Sequence, residues 1–193
     1  RPMKGTAPRG MDADSDAAAA EHLRTSAKER AENVMIVDLL RNDLSRIAEP
    51  HTVRVPELFH TQALPTVWQM TSDVQARTRT GLRLPDVFAA LFPCGSVTGA
   101  PKVRAMQLIR ELERQPRGVY CGAIGVVRPD GNGGIAATFN VPIRTVVMRG
   151  TQARCSIGSG ITASAAAGAE WQEWLHKHAF LARASEPFEV LET

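Results

Sequence analysis

The chain has 193 residues, of which 44% are hydrophobic and 22% are charged. This composition is typical of a soluble globular protein, and the length allows one well-buried domain or at most two. Lys and Arg exceed Asp and Glu by only 23 to 20, and no basic block carries interleaved aromatic residues, which argues against nucleic-acid binding.

Lys4, near the start of the sequence, lies among residues that favour turns, namely Pro2, Gly5, Pro8 and Gly10. Proline fixes the backbone, and glycine lets it approach a ligand closely. Lys4 is therefore expected on an extended or tightly turned segment and not on a mobile helix face. This placement suits a nucleophile or an anion ligand, although a solvated surface lysine is the simpler interpretation of the residue on its own.

A helical pattern follows. Capping residues begin at Asp12, and helical spacing predicts one helix over residues 16–32. The apolar pattern continues over 34–40, where periodicity does not distinguish the end of this helix from a separate buried element. Residues 42–43, Asn-Asp, are expected to start a turn.

Two strands and a short helix are predicted next. Residues 52–55 alternate like a half-buried strand, and residues 64–76 are rich in β-branched and aromatic side chains. Residues 84–92 have a proline near the start and apolar positions at helical spacing, which predicts a short packed helix.

The loop at residues 93–102 leads into a helix predicted over 101–113, with a proline at its first position. Backbone N–H groups at such a helix start form an anion site. The spacing of Gly95, Gly99 and Lys102 does not match a phosphate-binding loop, so we reject nucleotide binding here. A simple helix cap is the alternative interpretation.

The last third of the sequence predicts an antiparallel hairpin. Residues 118–127 and 134–147 read as strands joined by a turn that contains Asp-Gly and Asn-Gly. Pro142 would remove a ladder donor, so an edge or a bulge is expected there. A further strand over 152–157 and a helix from Ala165 complete the chain. The pattern predicts a mixed α/β (α+β-like) fold, with antiparallel-rich sheets covered by helices.

Two of these helices carry glutamates spaced three residues apart, Glu29 with Glu32 and Glu170 with Glu173. Residues at this spacing share a helix face, so each pair presents two carboxylates together. A solvated acidic edge is the alternative for such a pair.

Several separated motifs, spread over essentially the whole chain, resemble signatures of the chorismate-utilising enzymes. Residues 2–6, Pro-Met-Lys-Gly-Thr, resemble Pro-Ile-Lys-Gly-Thr of the aminodeoxychorismate synthase component I branch, whereas anthranilate synthases usually have alanine where Lys4 stands. Residues 28–43 resemble the Glu-x-x-Glu-His-x-Met block of the family. Residues 95–102 resemble its Gly-Ser-hydrophobic-Thr-Gly-Ala-Pro-Lys motif, and the segment from residue 158 resembles its Gly-rich and Glu-x-x-Glu ending.

The resemblance implies a magnesium-dependent enzyme that converts chorismate and ammonia to 4-amino-4-deoxychorismate for 4-aminobenzoate and folate biosynthesis. A glutamine amidotransferase partner would supply the ammonia. Lys4 is the implied nucleophile. Magnesium, which prefers oxygen ligands, is implied at Glu29, Glu32, Glu170 and Glu173. Chorismate contacts are implied at Gly5, Thr6, Thr98, Tyr120, Arg144, Gly158, Gly160 and Lys177.

Three positions depart from the family pattern. Asn33 replaces a usual histidine, Gln69 stands where anthranilate synthases have a histidine, and Ser164 begins a Ser-Ala pair in place of Asp-Ser. Gln69 could hydrogen-bond substrate or simply pack in the sheet. Lys4 and Gln69 argue against an anthranilate synthase. An isochorismate or salicylate synthase, which would use water in place of ammonia, and a non-catalytic chorismate-binding fragment stay open.

The motif around Lys4 lies near the middle of the family's chains. Residues 1–193 are therefore interpreted as the C-terminal portion of a chorismate-binding catalytic domain, with the general acid expected from the N-terminal half.

The three cysteines, Cys94, Cys121 and Cys155, are odd in number and widely spaced, which supports neither a disulfide framework nor a zinc site. No run of eighteen apolar residues and no signal peptide occurs, which argues against a membrane partner. A cytoplasmic location is expected.

Overall fold

The computed structural model describes residues 1–163, 165–178 and 181. One of the three departures from the family pattern, Ser164, lies outside the described residues. The chain divides into a first unit, Arg1–Gln107, and a second unit that begins at Leu108. Of the helices that the structure describes, none is both long and apolar enough to span a membrane.

The helices and strands of the first unit follow in chain order, with the last helix running past its boundary: β1 (Met3–Pro8), α1 (Ala13–Thr25), α2 (Ala27–Ser45), β2 (Arg54–Ala63), β3 (Val67–Gln75), α3 (Leu84–Leu91), α4 (Gly95–Thr98) and α5 (Lys102–Leu112). The second unit contains β4 (Ile124–Pro129), β5 (Ile135–Asn140), β6 (Val146–Arg149), β7 (Gln152–Cys155) and α6 (Ala167–His178). The prediction of a mixed α/β fold with antiparallel sheets is confirmed.

The first unit is built on an antiparallel sheet in the order β1-β3-β2, and α1 and α2 pack against it. β3 lies in the middle and is buried over Gln69, Met70, Thr71 and Ser72. Consecutive residues of a strand point to opposite faces of the sheet, so this run is buried on both faces. Such burial agrees with the central place of β3, between β1 and β2. Met70 of this strand forms a core cluster with Ala7 and Leu23, and Phe59 and Trp68 pack against the cluster.

The helix predicted over residues 16–32 is two helices. The chain breaks at Ser26, which ends α1 and also caps α2, where its hydroxyl accepts a hydrogen bond from the Glu29 N–H. Serine is among the preferred residues at a helix N-cap because its side chain replaces a missing backbone acceptor. The apolar residues keep helical spacing on both sides of Ser26, so the sequence pattern does not reveal the break.

The turn predicted at Asn42 and Asp43 is also wrong, because α2 continues to Ser45. Asp43 is buried within the helix and forms an ion pair with Lys102, with 2.5 Å between Oδ2 and Nζ. A contact to a distant residue thus overrides the turn preference of Asn-Asp.

Two antiparallel hairpins, β4–β5 and β6–β7, form the strands of the second unit. The first confirms the predicted hairpin, but the strand expected over 134–147 is two strands. The Pro142 carbonyl accepts a hydrogen bond from the Cys121 N–H, and Arg144 has a φ of +50°. Both features turn the chain away from the ladder, so β5 ends at Asn140.

Candidate functional site

Lys4 lies in a β-bulge of β1. From Met3 to Thr6, β1 advances three residues while its partner β3 advances only two, from Thr71 to Gln69. The extra residue leaves this part of the ladder unpaired, and Gly5 takes a φ of +95°, which favours glycine. Lys4 is partly buried, and no residue of the first unit forms an ion pair with it.

The two carbonyls of the bulge are held by side-chain amides. Asn33 Nδ2 donates to the Lys4 carbonyl at 3.4 Å, and Gln69 Nε2 donates to the Gly5 carbonyl at 2.6 Å. Asn33 is 0% and Gln69 6% exposed. The two residues that depart from the family's histidines therefore contact the backbone on which Lys4 is mounted.

Glu29 lies beside this bulge. A Cβ placed on Gly5 would be 3.2 Å from Glu29 Oε2, so the carboxylate lies against the Gly5 backbone. Glu32 follows one turn later on the same face of α2, and both glutamates are partly buried. The first unit thus brings the segment of Lys4, Gly5 and Thr6 next to one of the two glutamate pairs.

The loop that carries Thr98 is fixed to α2 at both ends. At its start, Gly95 packs so closely on Leu39 that a Cβ there would lie 1.7 Å from Leu39 Cδ2. At its end, Lys102 forms the buried ion pair with Asp43. Between them, the Thr98 hydroxyl donates to a backbone carbonyl of its own turn at 3.1 Å, which leaves its oxygen as an acceptor.

In the second unit, the loop at Gly158 and Ser159 is bonded to α6. The Ser159 hydroxyl donates to the Glu170 carboxylate, and Trp174 Nε1 donates to Ser159 Oγ at 2.9 Å. Lys177 Nζ donates to the Gly158 carbonyl at 3.1 Å. Three successive polar positions of one helix face therefore fix the glycine loop.

Tyr120 closes the other side of this loop. A Cβ on Gly158 would lie 2.7 Å from the Tyr120 hydroxyl, so the phenol lies directly against the Gly158 backbone. Lys177 also pairs with Glu173, with 2.5 Å between Nζ and Oε1. Tyr120, Gly158 and Lys177, with Glu170 and Glu173, therefore form one connected group.

Burial is the main reason that the pKa of Tyr120 is raised to about 12. A neutral phenol at physiological pH can donate a hydrogen bond to an anionic ligand. Two other predicted contacts, Arg144 and Gly160, are exposed. In the part of the second unit that the structure describes, no hydrogen bond or ion pair joins Arg144 to Tyr120.

The predicted magnesium carboxylates are divided between the units, one pair in each. Within the described residues, neither unit by itself gathers three or more His, Cys, Asp or Glu side chains. Magnesium is often bound through one or two carboxylates together with water and substrate oxygens, so each pair fits the chemistry of the ion. A joint site of all four stays a prediction.

Sequence reasoning missed two sets of side-chain contacts, one in each unit. Ser159 donates to the Glu170 carboxylate and accepts from Trp174 Nε1, and the available signal was that Trp174 lies one helical turn after Glu170. The pairing of Asp43 with Lys102 had no local signal, because the two residues are far apart in the chain.

Residues 1–183 match the family model described as chorismate binding enzyme. Aminodeoxychorismate synthase component 1 of Klebsiella aerogenes is 48% identical over 177 residues, 92% of this chain and 38% of that protein. Anthranilate synthase component 1 of Streptomyces coelicolor is 43% identical over 177 residues, 92% of this chain and 34% of that protein. The crystal structure of anthranilate synthase component I from Streptococcus pneumoniae has a TM-score of 0.77 and 35% identity, over 90% of this chain and 41% of that one. The chain spans well under half the length of these relatives.

Proposed function

Because the chain belongs to the chorismate binding enzyme family, we propose that it carries the nucleophile and much of the substrate site of an aminodeoxychorismate synthase component I. The reaction would convert chorismate and ammonia to 4-amino-4-deoxychorismate. The observation that carries the proposal is the bulge of β1, which holds Lys4 in the backbone segment that lies against the Glu29 carboxylate at Gly5. The similarity to aminodeoxychorismate synthase component 1 supports it.

In the proposed reaction, the unprotonated Lys4 amine gives its electron pair to the ring carbon next to the one that bears the carboxylate. The ring double bonds shift, and the 4-hydroxyl leaves as water with a proton from a general acid outside this chain. Ammonia then adds at the vacated carbon and loses a proton. As the double bonds shift back, the C–N bond breaks and its electron pair returns to Lys4.

Chorismate carries two carboxylates, and the predicted contacts supply matching groups. Arg144 offers a planar fork that suits a carboxylate, and Tyr120 offers a neutral hydroxyl donor. The loop of Gly158 and Gly160, whose small residues allow close backbone approach, would receive the other end of the ligand, with Lys177 and Thr98 as polar contacts. In the proposed function, these groups would bind chorismate and orient its ring for attack by Lys4.

We propose that Glu29, Glu32, Glu170 and Glu173 hold Mg²⁺. The ion would neutralise the ring carboxylate and stabilise the negative charge that develops beside it. In the second unit, Glu170 accepts a hydrogen bond from Ser159 and Glu173 is paired with Lys177.

A glutamine amidotransferase is the proposed source of ammonia, in agreement with the word component in the names of the relatives. We place this partnership in the cytoplasm.

The experiment that tests the proposed reaction is product analysis. The full-length enzyme is incubated with chorismate, ammonium and Mg²⁺, and the products are identified by mass spectrometry. The proposal predicts 4-amino-4-deoxychorismate. Anthranilate or isochorismate as the main product would contradict it and would favour an anthranilate synthase or an isochorismate synthase.

A further inference from the structure

We propose that Asn33 and Gln69 are positioning residues for the Lys4 amine, acting through the backbone of the bulge. This proposal rests on the proposed function, in which Lys4 is the nucleophile. The two side chains hold the carbonyls of Lys4 and Gly5, and so fix the direction in which the Lys4 side chain leaves the strand. We call these two amides and the two carbonyls the bulge clamp.

A bulge needs such partners because it interrupts the hydrogen bonds between strands. A carbonyl near a buried strand is costly when it has no donor. A carboxamide can meet this need without charge, and it has a donor and an acceptor on one rigid plane. In both Asn33 and Gln69, the amide nitrogen donates a hydrogen bond and the amide oxygen accepts one.

On the Asn33 side, a chain of hydrogen bonds fixes the orientation of the amide. The Phe59 N–H donates to Ser72 Oγ at 3.0 Å, so the Ser72 hydroxyl is free to donate to Asn33 Oδ1 at 2.6 Å. Asn33 Nδ2 must then point toward Lys4. Asn33 and Ser72 are both 0% exposed, so water does not compete for these groups.

On the Gln69 side, the amide is tied to the residue that follows the bulge. The Thr6 hydroxyl donates to Gln69 Oε1 at 3.1 Å, while Gln69 Nε2 donates to the Gly5 carbonyl at 2.6 Å. The side chain therefore binds two consecutive residues of β1. It holds the bulge from the strand, whereas Asn33 holds it from the helix α2.

The clamp matters for catalysis because glycine has more backbone freedom than any other residue type, and Gly5 directly follows Lys4. Without the two amides, the peptides on either side of Gly5 could rotate and redirect Lys4. A misplacement of about 1 Å at a reacting group can lower the rate by roughly 100-fold. Of the implied chorismate contacts, only Gly5 and Thr6 lie at the bulge, so substrate binding through the other contacts would change much less.

The test uses variants that keep the amide acceptor and remove the donor, Asn33→Asp and Gln69→Glu, in the full-length enzyme. Gln69→Met is a charge-free second variant for the case in which a carboxylate prevents folding. Gln75→Glu makes the same chemical change at an exposed position of β3 away from the bulge. We expect the clamp variants to lower kcat about 10- to 100-fold with KM for chorismate nearly unchanged, and the control to keep both.

A double-mutant cycle separates positioning from a general structural effect. In a Lys4→Ala background, loss of the clamp should lower the residual turnover by less than about twofold, because there is no amine left to aim. An equal fold-loss with and without Lys4 would overturn the proposal. So would a change confined to KM.

Amide hydrogen exchange gives a readout that does not depend on activity. The Gly5 and Thr6 amides should exchange at least about tenfold faster in the clamp variants, whereas the buried centre of β3 should not change. Unchanged exchange together with an inactive Lys4→Ala enzyme would overturn the clamp and leave the proposed function standing. A fully active Lys4→Ala enzyme would overturn the proposed function, and the positioning role with it.

Discussion

The Lys102 ammonium lies 2.5 Å from the Asp43 carboxylate, and these side chains are 16% and 5% exposed. The pair joins the start of α5 to α2 and so fixes the loop that carries Thr98. Removing one partner of a buried pair leaves an uncompensated charge, which costs about 3–5 kcal/mol. We therefore expect Lys102→Met to lower the free energy of unfolding by about this amount, as measured by urea denaturation of the chain.

The matched control for this change is Arg41, whose exposed pair with Asp38 lies on the same helix α2. Exposed pairs contribute roughly 0–1 kcal/mol, so Arg41→Met should change stability by less than about 1 kcal/mol. Replacing both buried partners, Asp43→Leu with Lys102→Met, should recover much of the loss. Equal effects of Lys102→Met and Arg41→Met would contradict the structural role of the buried pair.

The ionisation of Tyr120 can be followed alone, because the chain has a single tyrosine. Burial raises its pKa to about 12, whereas a free phenol ionises near about 10. The unfolded state therefore loses its proton first, and the free energy of unfolding should fall as pH rises from about 10 to about 12. Phenolate absorbance checks this prediction. Equal ionisation midpoints in native chain and in urea would show that the phenol is not buried.

A substitution at Gly158 should displace the same phenol. The new Cβ would lie 2.7 Å from the Tyr120 hydroxyl, so Gly158→Ala must displace the phenol from its present position. We expect the pKa of Tyr120 to fall toward its usual value and the binding of chorismate to weaken several-fold in the full-length enzyme.

Gly168→Ala on α6 is the control for this change, because a Cβ at that position meets no atom within 4 Å. Alanine in a helix is also favoured over glycine, so this variant should be as stable as the parent or more stable. If Gly168→Ala and Gly158→Ala leave the Tyr120 titration equally unchanged, the contact between Gly158 and Tyr120 is absent.

Elements with strong local signals could be predicted from the sequence. The hairpin β4–β5 followed from the Asp-Gly and Asn-Gly pairs, and α3 followed from its proline and apolar spacing. The glutamate pairs and Lys4 came from motifs. Local rules failed where a distant residue decides, as at Asp43, which stays in α2 because Lys102 pairs with it.

The bulge clamp was beyond sequence reasoning for a related reason. In the sequence, Asn33 and Gln69 stand out only as departures from the family pattern. Their contact with the backbone of β1 depends on a shift in strand register, and alternation along a strand does not reveal such a shift.

The central claim is that the Lys4 amine attacks chorismate, and Lys4→Ala in the full-length enzyme tests it most directly. Lys28→Ala, an exposed lysine at the start of α2, serves as control. With chorismate, ammonium and Mg²⁺, we predict that Lys4→Ala lowers the rate of 4-amino-4-deoxychorismate formation at least about 1,000-fold while Lys28→Ala keeps it. Formation of this product by Lys4→Ala at the parent rate would contradict the account.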